Sequence, residues 1–134
     1  MINLQETERI KQAIEANPQD FAKIIEQTNL GVCITNAEGK FDYVNDNYCR
    51  MYGYTREELI GKSFLIVVPP ESQQELSELH DKFIKLQVEL QRTWEVVRKN
   101  GEIMKIYVDA GYTEKIDGKP HKLTFVFPAD EKYR

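Results

Sequence analysis

The chain has 134 residues, of which 41% are hydrophobic and 30% charged, and its net charge is −4. That length makes one domain able to bury a core without staples, and the acidic balance gives a nucleic-acid role no global electrostatic support. The longest apolar run, Phe64 to Val68, is too short to span a bilayer, MINLQETERIKQ lacks a signal-peptide pattern, and Cys33 and Cys49 match no zinc motif. The expectation is a cytoplasmic protein with two reduced, packed thiols and neither membrane nor nucleic acid as partner.

The first segment reads as a sparse amphipathic helix, with Leu4, Ile10, Ala13 and Ile14 as its apolar stripe. Asn17-Pro18 interrupts it, with Asn17 placed to cap a second helix that shows Phe21, Ile24 and Ile25. Leu30 to Thr35 and Phe41 to Val44 read as strands joined by the turn Asn36-Ala37-Glu38-Gly39. Asn45 or Asp46 caps a helix that Gly53 ends, and Thr55 with Glu58 forms a capping box on the next. Pro69-Pro70 opens a longer helix with Leu76, Leu79, Phe83, Leu86 and Leu90 at helical spacing. Arg92 to Lys99, then Met104 to Tyr112, then Leu123 to Phe127 alternate as strands, separated by the turn signals Asn100-Gly101 and Asp117-Gly118. Five strands with helices grouped in the middle give an α+β fold. Its antiparallel sheet carries helices on one face, and the N-terminal amphipathic helix is the available cover for the other.

The stretch GVCITNAEGKFDYVNDNYCRMYGYTREELIGK, followed by VVPPE and WEVVRKNGE, resembles the PAS sensor domains over roughly residues 20 to 127. The resemblance implies a five-stranded sheet cupping a small cavity against the middle helices. It also implies signal relay through terminal helices to an effector such as a histidine kinase, cyclase or transcription factor. Asn45 resembles the family's helix-capping asparagine, and Glu58 with Lys99 its carboxylate–lysine pair. The organisation expected is an N-terminal helix over 1–17, a PAS domain over 18–128 and a tail over 129–134.

Within that frame, Tyr48, Met51, Phe64, Leu79, His80, Phe83, Trp94, Ile106, Val108 and Phe125 are the candidates to wall a ligand cavity, or equally to fill it. His80-Asp81-Lys82-Phe83 is similar to the haem-ligating run of some family members, which makes haem on His80 the runner-up reading. The matching strand faces, however, offer Ile106, Val108 and Leu123 rather than arginine. Flavin photochemistry would need a cysteine about where Phe64 stands, and Cys49 lies on an earlier helix. No metal site is expected unless His80 binds haem. Glu95 and Asp109 alternate away from the apolar face, His121 sits at a strand edge beside Pro120, and no nucleophile has a base beside it, so catalysis is not expected. Leu4, Ile10 and Ile14 are the candidate contacts of a homodimer, laid against Val97, Ile103 and Tyr107 or against their mates. Phe127-Pro128-Ala129-Asp130 stands where effector-coupled members carry an Asp-Ile-Thr-like triad, consistent with a stand-alone domain or one cut before its effector. The leading expectation is a non-enzymatic signalling sensor without a cofactor, taking a small ligand or partner; a scaffold with a filled core is the third reading.

Overall fold

Alternation along the strands builds one sheet with two unlike faces. The computed structural model describes residues 1–87 and 90–134. Among them, β1 (Gly31–Asn36), β2 (Phe41–Val44), β3 (Leu90–Val97), β4 (Ile103–Thr113) and β5 (His121–Pro128) form an antiparallel sheet in the order β2-β1-β5-β4-β3. The central pairing sets Val32 opposite Phe125 and Cys33 opposite Thr124. Odd and even positions therefore go to opposite sides. On one side lie α3 (Asp46–Tyr52), α4 (Arg56–Leu59) and α5 (Gln73–Leu86); on the other lies α1 (Leu4–Ala16), with α2 (Phe21–Ile24) leading into β1.

Local chemistry places the breaks. Asn3 caps α1 by accepting from the amides of Gln5 and Glu6 at 3.0 and 3.2 Å. In the β1–β2 turn the Asn36 side chain accepts from the amides of Glu38 and Lys40, both at 3.0 Å. Gly39 there has φ +80°, and a Cβ would lie 3.0 Å from the Phe64 ring, so only glycine fits without displacement. The expected capping box on α4 is present, with Thr55 and Glu58 bonding each other's backbone amides. Two expectations shift. Asn17 makes no side-chain cap; a short 3₁₀ turn at Pro18–Asp20 intervenes before α2. Leu90 does not extend the long helix, because Gln87 turns left-handed at φ 57° and β3 begins at Leu90.

The outer side of the sheet is closed by α1. Ile10 and Ile14 are wholly buried there with Ile25, Val32, Ile34, Leu123 and Phe125. Thr7 adds a hydrogen bond from its hydroxyl to Asp109 at 2.6 Å, and Glu15 accepts one from Thr113 at 2.9 Å. This corrects the dimer reading of that helix. Ile10 and Ile14 are spent inside the protomer, leaving Leu4 as the exposed apolar residue of the trio at 47%. The helix covers the centre of the sheet and reaches Tyr107, whereas Ile103 stays 50% exposed and Val97 half-buried.

Candidate functional site

The inner side is packed less completely. Between the sheet and the helical layer lies a cavity of about 90 Å³. Its walls are mostly apolar: Tyr48 and Tyr52 from α3, Phe64 and Val67 from the turn before α5, and Trp94, Ile106 and Val108 from the sheet. Tyr48 and Tyr52 stack at 4.1 Å between centroids, and the Tyr48 ring meets Phe41 edge-on at 5.8 Å. A void framed by such large side chains departs from the close packing usual in interiors.

One wall is polar. Cys33 and Thr35 of β1, Lys122 and Thr124 of β5 and His80 of α5 all line the cavity. The His80 ring sits 5.3 Å from that of Phe64. Its Nε2–H donates to the carbonyls of Asn36 and Ala37 at 3.1 and 3.2 Å, which pins α5 to the β1–β2 turn. Because carbonyls only accept, this assigns the proton to Nε2. Burial, then the Lys122 charge, pushes the His80 pKa down. Burial pushes the Cys33 thiol up to about 11, with Lys122 pulling the other way. Thr35 is buried, and its hydroxyl finds no hydrogen-bond partner.

A family model described as the PAS fold matches residues 19–127. The chain belongs to the PAS family. Over 68 residues it is 31% identical to the transcription activator of gluconeogenesis ERT1 of Eremothecium gossypii, covering 49% of this chain and 13% of that protein. Over 64 residues it is 33% identical to the cell-division control histidine kinase PdhS of Brucella ovis, covering 48% of this chain and 6% of the kinase. The matches thus span only a small part of those relatives. A solved PAS domain from a two-component sensor histidine kinase superposes with a TM-score of 0.68 at 18% identity, covering 85% of this chain and 97% of that one.

Of the PAS-domain positions expected to wall a cavity, Tyr48, Phe64, His80, Trp94, Ile106 and Val108 are brought together around it. Met51 is buried in the same core without lining the void. Leu79 and Phe83 do not line it either; Phe83 packs 6.3 Å from the Tyr112 ring, under Lys122. Phe125 is corrected outright: the β5 register turns it, like Leu123, to the α1 side. Glu95 keeps the outward parity expected of it, in register with Lys105, while still bordering the cavity. His121 is buried rather than at the surface, with Asp117 at 3.1 Å and Asp42 at 3.4 Å. Sequence reasoning missed Thr35, Lys122 and Thr124. Alternation groups Thr35 with Cys33, and Lys122 and Thr124 with Val126, but does not say which side of the sheet each group faces.

The donor set does not suit haem. His80 spends Nε2 on two backbone carbonyls, and about 90 Å³ is less than the roughly 150 Å³ that accommodates a single benzene. The same volume is smaller than the three fused rings of a flavin. Among the described residues no group of three or more His, Cys, Asp or Glu is placed to hold a metal ion, and no helix is long and apolar enough to cross a membrane.

Asn45, Glu58 and Lys99 tie the helical layer to the sheet. Asn45 is fully buried; its Oδ1 accepts from the amides of Tyr48 and Val32, both at 2.9 Å, and its Nδ2 donates to the carbonyls of Ile25 and Leu30 at 2.7 and 3.0 Å. Lys99 donates to Glu58 at 2.5 Å, while the Lys99 amide bonds the Tyr52 carbonyl at 2.9 Å, joining the β3–β4 hairpin to α3 and α4. Lys99 and the Thr55 amide hold the Glu58 carboxyl below the usual carboxylate range.

Proposed function

We propose that this PAS domain is a non-enzymatic sensory module of signal transduction that admits a small molecule between its helical layer and its sheet. The observation that carries this is the cavity, open although Tyr48, Phe64, Trp94, Ile106 and Val108 surround it. Occupancy has a mechanical outlet in the β1–β2 turn. His80 lines the cavity and also holds the β1–β2 turn, so a ligand that displaces its ring bears on that turn. A ligand moves such an equilibrium only by its difference in affinity for the two arrangements. Its relatives include a histidine kinase and a transcription activator, which favours an effector of either kind in the cytoplasm as the partner. The test is an amide NMR titration with 1-propanol. Saturable shifts confined to β1, β4 and β5, abolished in Val108→Phe, are expected. Shifts that grow linearly and appear over the whole surface would refute the cavity as a binding site.

A further inference from the structure

Among the described residues Lys122 is a cation without a counter-charge. It is half-buried, it has no hydrogen bond or ion pair among the described residues, and its Nζ stands 5.1 Å from the centroid of the Phe83 ring. Its neighbours in register are Thr35 on β1 and Tyr112 on β4. An ammonium drawn out of water without a partner is costly, and proteins normally pair such groups. Beside it, Thr35 carries a buried hydroxyl that is equally unpaired. The acidic residue that lines the cavity, Glu95, pairs in register with Lys105, seven positions along β4 from Tyr112 and so roughly 20 Å away at the rise of a strand. One wall thus offers a positive charge and a free hydroxyl donor, and the others offer hydrocarbon.

Resting on the reading of the cavity as a binding site, we infer that its ligand is a short-chain monocarboxylate, the carboxylate held by Lys122 and the Thr35 hydroxyl and the alkyl end against Ala110, two positions along β4 from the register partner of Lys122, and Phe64, beside His80. Size and charge select this class. If roughly 150 Å³ takes the six heavy atoms of benzene, about 90 Å³ suits about four, the size of acetate, with propionate one methylene longer. A single negative charge matches the single ammonium, whereas a phosphate dianion would bring excess charge and no apolar tail into an apolar chamber. Burial pushes the Lys122 pKa down, and an anion beside it would raise it.

The experiment is amide NMR titration of the whole chain with propionate, its neutral isostere propionamide, and 1-propanol, at constant ionic strength. Propionate is expected to shift the amides of Thr35, Lys122 and Thr124 saturably and at least tenfold more tightly than propionamide. Lys122→Met, which keeps the unbranched stem, should erase that preference. Thr35→Val, which keeps the shape, should weaken propionate several-fold. Equal binding of propionate and propionamide, or a preference unchanged in both variants, overturns the carboxylate assignment while the cavity stands. Failure of all three probes overturns the binding cavity and this inference together.

Discussion

The two faces of the sheet use the same strands for opposite ends. On the outer face Ile10 and Ile14 of α1 meet Val32, Ile34, Leu123 and Phe125, all at most 1% exposed. On the inner face the intervening residues Cys33, Thr35, Lys122 and Thr124 border a void. Hydrocarbon interdigitating with hydrocarbon maximises dispersion and buried area. Polar side chains beside a cavity forgo both, and one of them, Thr35, forgoes even its hydrogen bond. The difference teaches that close packing and incomplete packing are divided by strand parity: the outer residues hold the sheet, which leaves the inner ones free to stay incompletely satisfied.

The sharpest way to break that contrast is to remove the outer cover. Deletion of residues 1–17 exposes the face that Ile10 and Ile14 close, and we predict an aggregating chain; a clean, well-folded species in light scattering and circular dichroism would contradict it. A matched pair of truncations comes next. Ile34→Ala on the outer face should cost about 4 kcal/mol, and Ile106→Ala on the cavity wall about 2 kcal/mol, because the wall already lacks partner atoms on one side. Equal losses in urea unfolding would erase the distinction. Thr35→Val should raise stability by about 1 kcal/mol, since it removes an unsatisfied buried hydroxyl at constant shape; a loss would mean the hydroxyl has a partner. The smallest effect is a pH slope from His80. Its folded pKa is depressed, so below about 6.5 the unfolded chain binds the proton more readily and stability falls with falling pH, down to the lowered folded value. In His80→Gln that part of the slope should vanish from midpoints measured between pH 7 and 5.

Most of the architecture was legible because each piece had a local cause. Asn3, Asn45, Thr55 and Gly53 mark helix ends by unmet backbone groups, and alternation marks the strands. What alternation cannot supply is the phase of one strand against another. Phe125, an aromatic residue, invites a place on the cavity wall, yet pairing with Val32 sets it on the α1 side. The same gap hid Lys122, which looks like a solvated strand lysine until β1 and α5 close around it. The fate of Ile10 and Ile14 was equally undetermined, since a stripe shows that a helix must be covered but not by what. His121 became buried through Asp117 and Asp42, contacts that a strand-edge position does not announce.

Asn45 carries a further consequence, in the chemistry of ageing. Its side chain joins the end of α2 and the start of β1 to α3, accepting two bonds and donating two. Loss of ammonia from this amide yields an aspartate of nearly the same shape, but its oxygen would confront the carbonyls of Ile25 and Leu30, both acceptors. While the chain is folded, burial guards the amide from water; in an unfolded or newly made chain nothing does. We therefore expect chains deamidated at Asn45 to collect in the fraction that fails to refold, detectable there by a gain of about one mass unit; their equal presence in the refolded fraction would show that the junction tolerates the change.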